Sequence, residues 1–243
     1  MQRDIRIGVL VPAGNTLHER EFEALRPEGV AFRFAAFTYP PAGAADFCVD
    51  LTTRMAPPIA ELRDWGAQLL LVGCTAASMR CADAQTDGRL ARLAGVPVVT
   101  AASAAREAFA ALGLKRVAVA TPYGAASNGI VSRFLESIGV HVDAIRGLDL
   151  DRSPEVWRSE VPALTPAQVC ELGLSIDGPA VEALYLPCTG LASIEAIERF
   201  ERRTGKPALS SVQAGYWASL RRLGIDGRRG GAGRLVANWP PAA

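Results

Sequence analysis

Cys74 and Cys188 stand in the same local setting, and a thiol there can act as a nucleophile or as an acid and base. Each follows a short apolar run, Leu69-Leu-Leu-Val72 or Leu184-Tyr-Leu186. Each is followed by threonine and small residues, Thr75-Ala-Ala-Ser78 or Thr189-Gly-Leu-Ala192. Small residues let a substrate approach the backbone, and the free N–H groups of a helix starting nearby favour an anion. That helix field is worth roughly 0.3–1 kcal/mol, and about 2 when partly buried, against ~1.4 kcal/mol per pKa unit. It lowers a thiol pKa by about one unit, while apolar burial raises it. Hydrogen bonds from Thr75, Thr189 or backbone amides must supply the rest, and the same amides can hold a carboxylate.

The remaining reactive types offer less. The five cysteines (Cys48, Cys74, Cys81, Cys170 and Cys188) are odd in number and contain no C-x-x-C pair. A disulfide framework or an all-cysteine metal site is therefore not expected. Cys48, Cys81 and Cys170 read as small buried hydrophobes. Two histidines, His18 and His141, give little material for a zinc cage or a proton relay. Ser78 and Ser193 have no acid or histidine in a triad context, and neither a G-x-G-x-x-G nor a P-loop pattern is present. No metal and no cofactor is expected. Arg228–Arg234, rich in arginine and glycine, reads as a crossing loop rather than an RNA-binding tract.

Length and charge set the outer bounds. The chain has 243 residues, with 26 Lys+Arg against 25 Asp+Glu. This balance leaves no electrostatic footprint for nucleic acid or an anionic membrane. No run of 18 apolar residues occurs and the first residues do not read as a signal peptide, so a cytoplasmic protein is expected.

The elements that must position the thiols are legible as alternation. Apolar runs at Ile5–Val11, Val30–Phe37, Leu69–Val72, Val96–Thr100, Val117–Ala120, Val142–Ile145, Ala183–Leu186 and Ala208–Ser210 read as strands. Helical patterns lie between them at Leu51–Trp65, Ala104–Leu112, Ile130–Ile138 and Ile194–Arg202. This rhythm predicts an α/β fold with mainly parallel sheet. Thr16 with Glu19, and Thr165-Pro166 with Gln168, read as helix starts. Gly43–Cys48, reached through Pro-Pro-Ala-Gly, is a candidate lid.

An internal repeat sharpens the prediction. Gly95-Val-Pro97 through Ala104 recurs as Gly205-Lys-Pro207 through Ala214, and Val9–Gly14 recurs as Val119–Gly124. Gly73-Cys74-Thr75 answers Pro187-Cys188-Thr189 in the same order. Duplication predicts two pseudo-symmetric lobes, each a four-stranded sheet flanked by helices, with the site between them. Ligands of parallel α/β sheets bind outside the carboxyl ends of the strands. Both cysteines then project into one cleft, where Asn15 and Tyr123, each just after the first strand of its repeat, also face. The lobes are expected as 1–105 plus 212–243, and 106–211.

These residues resemble the aspartate/glutamate racemase superfamily, whose two α/β lobes carry facing cysteines and need no cofactor. Within it, Val11-Pro-Ala-Gly-Asn15-Thr16 is similar to the opening of maleate cis–trans isomerases, which implies roles for Asn15, Tyr123, Cys74 and Cys188. Thr75, Thr121-Pro-Tyr123, Ser210–Trp217 and Gly231–Leu235 resemble arylmalonate decarboxylases, which carry glycine where Cys74 stands. Glutamate racemases open on Asp-Ser and have histidine after the second Cys-Thr, and this chain has neither. Where maleate isomerases have a further asparagine, this chain has Ser153. The resemblance implies an isomerase of a small mono- or dicarboxylate, forming a possible homo-oligomer. In it Cys74 and Cys188 are catalytic, and Asn15, Thr75, Tyr123, Thr189, Gly190, Ser210 and Ser211 bind substrate. A decarboxylase using Cys188 alone, a racemase, and a non-catalytic acid-binding protein are the alternatives.

Overall fold

The computed structural model describes residues 4–41 and 43–241. The first half runs β1 (Ile5–Pro12), α1 (Leu17–Leu25), β2 (Val30–Phe37), α2 (Phe47–Asp64), β3 (Leu69–Val72), α3 (Thr75–Arg80), α4 (Ala84–Ala94), β4 (Val98–Thr100) and α5 (Ala101–Leu112). The second runs β5 (Arg116–Thr121), α6 (Ala125–Ser137), β6 (His141–Gly147), α7 (Pro154–Glu160), α8 (Pro166–Leu174), β7 (Ala183–Leu186), α9 (Ser193–Thr204) and β8 (Ala208–Ser210). Helices α10 (Ser211–Arg222) and α11 (Gly233–Asn238) follow.

Two parallel four-stranded sheets result, ordered β2-β1-β3-β4 and β6-β5-β7-β8. The strand order is the same in both, as the repeat predicts. Strands β3 and β7 are buried at every residue, which is why each is an unbroken apolar run. Helix α10 is buried from Ser211 to Leu220 and packs against α5, β3 and β8. A helix buried all round belongs in a core, and here it carries Tyr216 and Trp217 there.

The repeated segment has one mechanical job in both halves. Gly95 and Gly205 end α4 and α9 in the left-handed conformation (φ 64° and 71°), which glycine adopts without steric cost. A three-residue strand follows each, and the hydroxyl of Thr100 or Ser210 then caps the next helix, accepting from Ser103 N or Gln213 N.

Several local expectations change. Thr16 makes no side-chain cap; the Asn15 side-chain oxygen Oδ1 instead accepts from the His18 amide at 3.3 Å. Thr165 does form its capping box with Gln168. Helix α2 begins at Phe47 because Asp46 caps it through Cys48 N and Val49 N, so the end of the lid candidate is helical. Cys48 and Cys81 are not separate small hydrophobes. They form a disulfide, with Cα atoms 5.6 Å apart, that ties the first turn of α2 to the end of α3. The two positions are 33 residues apart, and α2 packing over this edge of the sheet brings them together. Cys170 stays free and buried, as expected.

Candidate active site

Both sulfurs sit where buried strands end. Cys74, 4% exposed, is the N-cap residue of α3, two residues past β3. Cys188, 1% exposed, lies two residues past β7. Their neighbours join directly: Thr189 Oγ1 donates to the Gly73 carbonyl at 3.0 Å, and Asn15 Nδ2 donates to Thr189 Oγ1 at 3.0 Å. The residue after one thiol is thus bonded to the residue before the other. Gly73 itself is forced by close approach, since a Cβ there would run into the His18 ring and the Leu10 carbonyl. Burial among Phe22 and Phe34 pushes the His18 imidazole down to about 3, so it is neutral.

The two thiols have different surroundings. Burial raises Cys74; the Tyr39 hydroxyl, 2.7 Å from its sulfur, and the amides of Ala77 and Ala76 pull the other way. Burial pushes Cys188 up to about 12, against the Gly190 amide, which donates to its sulfur at 3.3 Å, and the Tyr123 hydroxyl. The charge of Cys74 raises Cys188 further, and Tyr123 is raised by burial and then by both cysteines. Such mutual effects mean that Cys74, Cys188, Tyr39 and Tyr123 lie near one another. Burial thus favours the protonated thiol at Cys188.

The second half holds its groups through backbone contacts. The Tyr123 amide donates to Thr121 Oγ1, its carbonyl accepts from Asn128, and the next amide, of Gly124, donates to Asp151. The Tyr123 ring stacks on Trp157, with centroids 5.9 Å apart and planes 10° apart. A Cβ at Gly190 would stand 3.2 Å from Trp157 and 3.6 Å from Cys188 Sγ, so a side chain there would crowd the indole ring. The Thr75 hydroxyl is buried without a protein partner, a donor that a bound carboxylate would satisfy.

Cys74, Cys188, Asn15, Thr75, Tyr123, Thr189 and Gly190 therefore gather at one place. Ser210 and Ser211 do not join their hydrogen bonds. Ser210 caps α10 and lies 2.9 Å from the Ser193 hydroxyl, which also bonds Glu21; Ser211 pairs with Tyr185. Ser153 caps α7. Tyr39 and Trp157 were not foreseen. Tyr39 lies in Thr38-Tyr-Pro-Pro41, where an aromatic residue beside two prolines reads as loop, and Trp157 sits on a short helix with no fully buried residue and hence no apolar period to read. Among the described residues, no three His, Cys, Asp or Glu side chains cluster as metal ligands would, and no helix is long and apolar enough to cross a membrane.

Known proteins resemble this chain in sequence and fold. The family model for arylmalonate decarboxylase matches residues 7–236. Maleate isomerase of Alcaligenes faecalis is 27% identical over 254 aligned residues, covering 98% of each chain. The solved maleate isomerase of Pseudomonas putida S16 with maleate superposes with a TM-score of 0.85 at 26% identity, over 96% of this chain and 97% of that one. A Nocardia farcinica maleate cis–trans isomerase mutant with a covalently bound succinylcysteine intermediate superposes at 0.84, with 27% identity over 96% and 98%.

Proposed function

The chain belongs to the arylmalonate decarboxylase family, and from that premise we propose a cofactor-independent isomerase of the maleate cis–trans type. The Thr189–Gly73 hydrogen bond carries the reading, because it sets the segments bearing the two thiols side by side. We take the lobes as 1–105 plus 212–243, and 106–211, so that each supplies one sulfur.

In the proposed reaction the Cys74 thiolate attacks one alkene carbon. The S–C bond forms as the π pair moves to the neighbouring carbon and into its carboxylate. Cys188 gives its proton to that carbon, leaving a succinyl thioether whose central bond is now single and rotates. The Cys188 thiolate then takes the proton back, the C=C bond reforms as trans, and the C–S pair returns to Cys74. A succinylcysteine in the Nocardia farcinica enzyme has the form of this intermediate. Asn15, Thr75, Tyr123, Thr189 and the Gly190 amide are the groups assigned to the carboxylates and to the enolate-like charge.

Proton NMR decides the matter: maleate should become fumarate, and Cys74→Ala should abolish the conversion. One observation favours a second reading. The Tyr123–Trp157 stack beside Gly190 and Cys188 forms an aromatic wall, suited to a malonate bearing an aryl group, with Cys188 alone protonating the enediolate left by carbon dioxide. Carbon dioxide release from a disubstituted malonate, surviving Cys74→Ala, would select it. Solvent deuterium entering an otherwise unreacted chiral acid would select a racemase instead.

A further inference from the structure

We propose that Tyr39 is a positioning residue whose hydroxyl donates to Cys74 Sγ and holds that sulfur, rather than Cys188, as the anion of the pair. This rests on the reading of Cys74 as the nucleophile, and it explains which thiol takes that role.

The geometry comes first. The Tyr39 oxygen lies 2.7 Å from Cys74 Sγ, within hydrogen-bond reach. Tyr39 is 45% exposed as a residue, yet its hydroxyl ends against a sulfur that is almost wholly buried. Its ring leans on Phe37, the last residue of β2, with centroids 6.0 Å apart. Nine residues on, Cys48 is bonded to Cys81 at the end of α3, and Cys74 caps the start of that same helix. The segment beginning at Tyr39 therefore meets α3 at both ends, by a hydrogen bond at one and a covalent bond at the other.

The direction of donation follows from acidity. A phenol is the weaker acid of the pair in water, and burial together with Cys74 raises Tyr39 well above its ordinary range. The first proton to leave the pair therefore comes from sulfur, and the phenol proton then points at the thiolate. Other titratable groups nearby reinforce the choice. Cys188 and Asp151 both oppose ionisation of Tyr39, Tyr123 is likewise raised, and His18 behind Gly73 is neutral. Cys188 has the Gly190 amide, farther away at 3.3 Å, and the Tyr123 hydroxyl as donors, and burial pushes it up to about 12.

The test is the pH dependence of alkylation by iodoacetamide in the full-length protein, with peptide mass spectrometry reading Cys74 and using Cys170 as an internal reference. Tyr39→Phe keeps the ring and removes the donor. It should move the Cys74 midpoint up by about one pH unit, a roughly tenfold loss of rate below the midpoint, because a hydrogen bond to a charged group is lost. The Cys170 midpoint should not move. Tyr39→Leu should shift the Cys74 midpoint equally while also raising the plateau rate, since it opens access. An unchanged or lowered midpoint in Tyr39→Phe, or a shift confined to Tyr39→Leu, would overturn the assignment. Wild-type protein that fails to convert maleate yet shows the Tyr39→Phe shift would sink the isomerase reading and leave this one standing.

Discussion

Thr189 Oγ1 and the carbonyl of Gly73 are hydrogen-bonded at 3.0 Å across 116 positions of sequence, and Asn15 completes the chain from the other side of the threonine. Replacing Thr189 with valine keeps the shape and removes both bonds. The buried Gly73 carbonyl and the Asn15 amide then lose their partner, which costs about 1–3 kcal/mol. Thr189→Val should lower the melting temperature and reduce kcat more than KM, while Thr189→Ser restores both; calorimetry and NMR turnover check this.

Cys188 is assigned to proton delivery, so its loss should stall the reaction after the first bond has formed or prevent release of what has formed. Intact-mass measurement on Cys188→Ser incubated with maleate should find an added mass of one maleate unit. In Cys74→Ala no adduct should form. An adduct mapped to any other cysteine would refute the division of labour.

The Cys48–Cys81 disulfide closes a segment of 33 positions. The chain-entropy estimate for a loop of that length is about 3–4 kcal/mol. Reduction with a dithiol, or Cys48→Ser with Cys81→Ser, should therefore lower the melting temperature by several degrees. The double variant should be indifferent to reductant, and calorimetry with and without dithiol separates the cases.

Glu21 on α1 accepts from Ser193 Oγ at 2.8 Å and from the Ile194 amide at 2.9 Å, capping α9 of the other sheet. Burial pushes its carboxyl up to about 7, opposed by those hydrogen bonds. A folded-state pKa above the unfolded one means that the stability tied to the protonated form is complete below about 4.5 and lost as pH rises through about 7. Glu21→Gln removes the charge, keeps an oxygen for the Ile194 amide, and turns the Ser193 bond round so that the glutamine NH2 donates to the hydroxyl. It should raise the melting temperature at pH 8 by a few degrees, at roughly 2–4 °C per kcal/mol for a chain of this size, and leave it unchanged at pH 5.

Much of this fold could be read from letters because parallel strands buried on both faces are continuous apolar runs. The eight runs lie within a few residues of the observed strands. The repeat also carried the equivalence of β3 and β7, and hence of the two cysteines. What escaped depends on contacts between elements. The disulfide needs α2 laid across the end of α3, which no spacing of cysteines announces. Tyr39 needs a proline-flanked loop to turn inward. Ser210 and Ser211 were assigned to substrate through the resemblance; in the structure Ser210 caps α10, as Thr100 caps α5 at the matching place, and Ser211 pairs with Tyr185.

The sulfurs are rooted in β3 and β7, whose residues have no face toward water, whereas Tyr39 hangs from a segment that does. On the proposed reading, a guest of a few carbons meets two sulfurs fixed by fully buried strands and one tyrosine carried by a partly open loop.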